Sequence, residues 1–305
     1  IPYDEEYEYS EELSEEDGDK CRAFVEHKNW ELLDNKGRCG RSYRLTYNKV
    51  MGGHNADLAE YPWMARLIYR SPNNKESGSC VGSVINSRYV LTAAQCCLAD
   101  DTSTLAVVIL GEHDIHSTRD CLRGHCAPRP LEFDVEKIIK HFNYDELLLE
   151  NDICLLRLSE EITFNDYVQP ICLPTSVEMT ERSFVGSVLT LAGWGSTRSE
   201  PEERFPDILQ EVRLRVVSDR TCSKDDFSYD PDTMICAGGF VGRDACEGDS
   251  GGPLMYADNK LAARYYLIGI VSSGEACSYE DDEGVHGVYT KVSKFIPWIL
   301  DMIHE

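Results

Sequence analysis

The sequence predicts an all-β chain closed by one C-terminal helix, and three observations carry that expectation. From Val50 onward, short apolar runs alternate with turn residues; Trp63–Tyr69, Ala106–Leu110, Ile153–Leu158 and Tyr266–Val271 are each five to seven residues long. Strands of that length at that spacing belong to a barrel or a sandwich. Helical periodicity is confined to the end, where Val292, Phe295, Ile296, Ile299, Leu300 and Ile303 recur at i, i+3, i+4 and i+7. Thirteen cysteines without a CxxC pair or a Cys/His cluster favour disulfides in a secreted protein over a zinc array.

The 305 residues leave room for one large domain or two small ones, and no internal repeat points to a solenoid. Thirty basic against 54 acidic residues give a net charge of −24, which argues against nucleic acid and anionic membrane surfaces as partners. No apolar run is long enough for a membrane span. The acidic opening Ile1-Pro2-Tyr3-Asp4 reads as a mature or trimmed product rather than a leader. Residues 1–19 hold ten acidic residues and no Lys or Arg, so they are expected to be disordered. Tyr3, Tyr7 and Tyr9 sit among those acids. The segment reads either as a solvated tail or as an acidic docking peptide, with or without sulfated tyrosines, for a basic surface. Residues 20–49 mix charges around Cys21, Trp30 and Cys39 and form a segment distinct from the strand-rich main domain, 50–305.

The strongest chemical signal is Gly248-Asp249-Ser250-Gly251-Gly252-Pro253. Glycines around a serine let a substrate carbonyl approach the hydroxyl, and backbone N–H groups there can face a developing oxyanion. Alone, it would also fit a glycine-rich turn with a bystander serine. It is joined by Val50-Met51-Gly52-Gly53, by Val90-Leu91-Thr92-Ala93-Ala94-Gln95-Cys96 and by Asn151-Asp152-Ile153-Cys154-Leu155-Leu156. Gly193-Trp194-Gly195, Cys246-Glu247-Gly248 and Gly287-Val288-Tyr289-Thr290-Lys291-Val292 complete the set. In that order, from Val50 to Glu305, the chain resembles the chymotrypsin-like (trypsin-type) serine proteases, and in particular the arthropod clip-domain proteases and their inactive homologues. The resemblance implies two six-stranded antiparallel β-barrels. No six-cysteine clip module is visible in residues 1–49.

One departure bears directly on activity. Gln95 stands where the family motif has its catalytic histidine, beside Asp152 and Ser250. An amide donates and accepts hydrogen bonds but cannot serve as a base near pH 7. In a protease with the same triad logic, losing the histidine costs about 2 × 10⁶ in kcat, roughly 8–9 kcal/mol. The eight histidines (His27, His54, His113, His116, His125, His141, His286, His304) all lie outside the required segment and read as surface or loop residues.

The resemblance assigns further roles. Asp244 lies at the base of a primary specificity pocket for Lys or Arg, with Gly274 and Gly287 as its walls. Gly248 and Ser250 supply the oxyanion-hole N–H groups. Ser273 replaces a common tryptophan, and Glu247 disfavours acidic substrate residues. Lys49–Val50 resembles a zymogen activation bond for an upstream trypsin-like protease, with the new Val50 amine pairing with Asp249. The implied bridges are Cys39–Cys172, which tethers the pro-segment, Cys80–Cys96, Cys222–Cys236 and Cys246–Cys277. Two more are inferred: Cys121–Cys126 around a short insertion like one in clip-domain proteases, and Cys97–Cys154 behind the two triad segments. Cys21 is left for an intermolecular bond, a free thiol or a bond to an upstream module. Glu112, with Asp120 as a second ligand, resembles the start of a calcium (Ca2+) loop, or is an acidic surface loop. No other cofactor is implied.

The expected function is therefore that of a secreted, extracellular protease homologue in haemolymph or a plasma-like fluid, impaired at Gln95. It would act as a cofactor or decoy among other cascade proteases and their substrates. The alternative is an active trypsin-like endopeptidase, cleaving after Lys or Arg, whose histidine was replaced in this copy. An α/β-hydrolase also satisfies G-x-S-x-G around Ser250, but Gly252-Pro253 leads into a strand-like run where a nucleophile elbow needs a helix.

Overall fold

A computed structural model describes residues 27–33, 37–43, 54–73, 75–98, 104–196, 205–225, 229–238, 248–258, 264–273 and 286–305. The acidic segment 1–19, Cys21, Lys49, Val50, Asp244, Glu247, Gly274 and the Cys246–Cys277 pair lie outside the described residues.

After β1 (His54–Asn55), the chain builds a first sheet from β2 (Met64–Arg70), β3 (Glu76–Val84), β4 (Tyr89–Thr92) and β5 (Thr104–Leu110). A short hairpin, β6 (Cys121–Leu122) with β7 (His125–Cys126), interrupts it. The sheet resumes with β8 (Leu131–Phe133), β9 (Val135–Lys140) and β10 (Cys154–Leu158), in the order β8-β5-β2-β3-β4-β10-β9. Its two edges, β8 and β9, are separated in sequence only by Asp134. A single bent strand therefore runs from one side of the sheet to the other and curls it into a barrel of six strands.

The second sheet uses β11 (Val188–Gly193), β12 (Gln210–Val216), β13 (Met234–Gly238), β14 (Pro253–Asp258), β15 (Arg264–Ser273) and β16 (His286–Lys291). Its order is β1-β12-β11-β14-β15-β16-β13, and β12 also pairs with β13, so six strands close a ring and β1 is appended to it. In β12, Leu214 and Val216 are buried while Arg213 and Arg215 are exposed, the period-two signature of a barrel wall. The chain is thus the two-barrel fold the sequence implies.

The expected helix divides in two, a 3-10 turn at Val292–Phe295 and an α-helix at Ile296–Met302. All six predicted apolar positions are buried on the first barrel's core. Residues 27–33 and 37–43 are bound to the main domain. Asn29 Nδ2 donates to Leu300 O at 2.8 Å and Ile303 O at 2.7 Å, supplying the carbonyls at the helix end. Gly40 donates to Pro170 O and accepts from Tyr265 N–H, and the Cys39–Cys172 bridge closes this contact. A Cβ at Gly40 (φ +68°) would lie 2.4 Å from Tyr265 O, so the approach requires glycine. Bridges also join Cys80–Cys96, Cys97–Cys154, Cys121–Cys126 and Cys222–Cys236.

Candidate active site

Gln95 opens a 3-10 turn, Gln95–Cys97, directly after β4. Cys96 bridges to β3 and Cys97 to Cys154 at the start of β10, so both cysteines behind Gln95 are pinned. The pairing of Thr92 with Cys154 brings Asp152, just before β10, beside that turn.

Asp152 is fully buried. Burial raises its pKa, and hydrogen bonds from Ser272, Gln95 and Ala94 act against that rise. The Ser272 hydroxyl donates to Oδ2 at 2.6 Å, and the Gln95 N–H donates to Oδ1 at 2.9 Å. Gln95 Nε2 donates to Oδ2 at 2.8 Å and to Ser272 O at 2.5 Å. Thr290 Oγ1 donates to the Asp152 carbonyl at 2.7 Å. Both amide hydrogens of Gln95 thus have acceptors, a carboxylate and a carbonyl. Flipping the amide would set its oxygen against two acceptors, so the network fixes its orientation. What Gln95 retains is an acceptor oxygen; it has no proton-accepting nitrogen.

Ser250 lies at the seam between the barrels. Its carbonyl accepts from Val81 N–H on β3 at 2.8 Å, and the N–H of Gly251 donates to Val271 O at 2.9 Å. Gly251 has φ +78°, and a Cβ there would lie 2.1 Å from Thr92 Oγ1, three residues before Gln95. The serine turn is thereby pressed onto the strand that leads to Gln95. Among the described residues, no acceptor takes the N–H of Gly248 or Ser250. Pro253 begins β14 directly, so no helix follows the serine and the α/β-hydrolase alternative falls.

Asp249 is buried, and its Oδ1 accepts from Gly195 N–H at 2.8 Å. A Cβ at Gly193 would lie 2.0 Å from Oδ1, and one at Gly195 would lie 2.3 Å from Cγ. Gly193-Trp194-Gly195 is therefore the seat of this carboxylate. Gly287 is buried on β16, paired with Ala237.

Glu112 and Asp120 are close enough to interact, and burial pushes Glu112 up to about 7. The loop's own donors occupy it. His113 N–H reaches both carboxylates at 3.0 Å, and the Ser117 hydroxyl donates to Asp120 at 2.5 Å. Among the described residues no group of three or more His, Cys, Asp or Glu side chains assembles. The two carboxylates are thus engaged by the loop's own donors. His141 also departs from the surface reading, being buried against Phe142, Phe295 and Trp298, and burial lowers its pKa.

Sequence reasoning missed Ser272 as a partner of Asp152, Thr290 as a clamp on its backbone, and the glycine seat of Asp249. Thr290 and the two glycines lay inside quoted motifs; Ser272 carried no local signal.

A family model described as Trypsin matches residues 50–299. Phenoloxidase-activating factor 3 of Holotrichia diomphalia is 41% identical over 260 residues, covering 82% of this chain and 71% of that protein. CLIP domain-containing serine protease HP8 of Bombyx mori is 38% identical over 283 residues, covering 90% and 74%. The crystal structure of the Drosophila Grass clip serine protease of the Toll pathway matches with TM-score 0.74 at 31% identity, over 89% of this chain and 76% of that one.

Proposed function

Because the chain belongs to the trypsin family and, within it, to the clip-domain serine proteases, we propose that it is a secreted cascade component that holds basic segments without cutting them. The carrying observation is the state of Gln95. Its amide nitrogen takes the place of the donor that a histidine would present to Asp152, and both of its hydrogens are engaged. No group at this position takes the proton from Ser250 or returns it to a leaving amine. Residual catalysis of roughly 10³–10⁴ over water, from oxyanion-hole donors and binding alone, is too slow for a working protease.

The rest of the machinery is kept for binding. Asp244, with Gly274 and Gly287 beside it, would receive a Lys or Arg side chain. An upstream trypsin-like protease would cleave Lys49–Val50, and the Val50 amine would approach Asp249 in its glycine seat. The pro-segment would stay attached through Cys39–Cys172 and the Asn29 contacts. Cys21 would bridge to a partner or an upstream module. The relatives' names speak of phenoloxidase activation and the Toll pathway, so the partners are sought among proteases of arthropod extracellular cascades. Calcium has no role in this reading.

The test is calorimetry of the chain cleaved at Lys49 with an arginine-containing peptide. Binding should be measurable, absent in Asp244→Asn, and followed by recovery of the peptide uncut after a day. Cleavage at a trypsin-like rate, or no binding by the unchanged chain, would overturn the proposal. The undisturbed setting of Asp152 favours one second reading, an endopeptidase disarmed only at position 95 of this copy.

A further inference from the structure

The second barrel carries a cleft of about 540 Å³ between the Val177–Glu181 helix with the loop after it and the 3-10 turn Val292–Phe295. Its floor is apolar, formed by Met179, Phe184, Val216, Met234 and Ile268. Its lining also carries three cations. Arg182 lies over the rings of Phe184 and Tyr256, at 5.3 and 4.5 Å from their centroids. Lys291 donates to Pro231 O at 3.2 Å, and Lys294 is exposed. Among the described residues none of the three has a carboxylate within ion-pair distance, although the chain has 54 acids for 30 bases. The acids at the cleft are Glu181 and Asp219, and Asp219 already accepts from the Tyr229 hydroxyl at 2.7 Å. Partial burial and then the charge of Lys294 lower the pKa of Lys291, against the opposing pull of Asp219, Asp232 and Asp230. A further carboxylate arriving here would offset the repulsion between the two lysines.

We infer that this cleft seats the chain's own acidic segment, residues 1–19, with a tyrosine on the apolar floor and flanking carboxylates on Arg182, Lys291 and Lys294. Two observations select this occupant. The first is complementarity, since Tyr3, Tyr7 and Tyr9 alternate with acids in a stretch that has no base. The second is where the segment leaves the domain. His27 Nε2 lies 3.1 Å from Asp301 Oδ1, and Asp301 is seven residues along the helical C-terminus from Lys294. Seven helical residues span about 10 Å. Residues 20–26 can cover about 25 Å when extended, so the acidic segment starts within reach of the cleft. A tether of that length gives an effective concentration in the millimolar range, which lets modest contacts suffice and favours the chain's own segment over that of a second copy. A partner that recognises the acidic segment would then have to draw it off the cleft first.

The test uses the full chain and a glutamate-specific endoprotease, with release of acidic fragments followed by mass spectrometry. A free synthetic peptide of residues 1–19 in the same buffer sets the unprotected rate. At low salt, the native chain should be cut there about five- to tenfold more slowly than an Arg182→Gln/Lys294→Gln variant. Protection should vanish in 0.5 M salt, as expected of exposed charges at roughly a 3–10 Å screening length. It should survive in Arg182→Lys/Lys294→Arg. Equal rates in the native chain and the Gln variant would overturn the inference. So would protection that rises with chain concentration, which would mean a second copy. Loss only on substituting Arg119, Arg123 and Arg129, the arginines around the Cys121–Cys126 hairpin, would also overturn it.

Discussion

Asp152 and Asp249 are both buried carboxylates, yet a set of side-chain and backbone donors surrounds the first, whereas the second lies against two glycines whose missing side chains make room for it. The difference teaches what each position tolerates. Around Asp152, any residue at 95 that presents an N–H to Oδ2 keeps the arrangement, so histidine can become glutamine while the structure stays whole. Around Asp249 there is less freedom, because a side chain at Gly193 or Gly195 would collide with the carboxylate. On the proposed reading, the substitution at position 95 and the glycine seat of Asp249 are therefore independent features of one fold.

The sharpest way to break that comparison is to fill the seat. Gly195→Ala places a Cβ against the Asp249 carboxylate on neighbouring main chain. We expect a loss of about 3 kcal/mol in urea unfolding, together with loss of arginine-peptide binding after cleavage at Lys49. A change below about 0.5 kcal/mol with binding intact would mean that Asp249 moves freely. The next effect comes from Asp152→Ala, which leaves the Ser272 hydroxyl and the Gln95 N–H groups without their acceptor. About 2 kcal/mol of destabilisation is expected, and Gln95→Ala should cost about half of that because Asp152 keeps other donors. If the two substitutions cost the same, the amide would be the main support of the carboxylate.

A smaller effect concerns Glu112, where acid without a ligand set contrasts with both aspartates. Burial raises its carboxyl to about 7, so the folded chain keeps a proton that the unfolded chain has lost above the ordinary 4.5. The contribution of this group to stability is complete below about 4.5 and is lost as pH rises to about 7. Glu112→Gln removes the ionisable group, so it should leave stability unchanged at pH 4 and raise it at pH 8. Solvent screening of a half-buried carboxylate limits the gain to about 1 kcal/mol. A gain at pH 4, or a loss at pH 8, would reverse the sign of this account. Least of all should calcium matter, and millimolar calcium is expected to leave the melting temperature unchanged. A clear rise that depends on Glu112 would restore the calcium loop.

The fold was legible because its signals are local and redundant. Apolar runs of strand length mark β2, β5, β10 and β15, and the buried stripe from Val292 to Ile303 marks the C-terminus. Gln95 was legible for the same reason, as one wrong residue inside an otherwise regular segment. Ser272 was not, because a serine in a buried strand looks like any other until the fold brings Asp152 to it across 120 residues. The setting of the Glu112 loop was not legible either. Carboxylates in sequence resemble ligands, but only the structure reveals that His113 N–H and the Ser117 hydroxyl already occupy them. The burial of His141 was not legible because the aromatic rings around it come partly from Phe295 and Trp298, more than 150 residues later.

On the proposed reading, one side chain, Gln95, separates this chain from an active protease. The direct measurement compares amidase activity on a small arginine reporter between the chain cleaved at Lys49 and the same chain carrying Gln95→His. The account expects near silence from the first and a gain of about 10⁵–10⁶ from the second, since histidine can present the same donor to Asp152 and add the missing base. Trypsin-level turnover from the unchanged chain would contradict it outright, and silence from both would mean that the loss extends beyond Gln95.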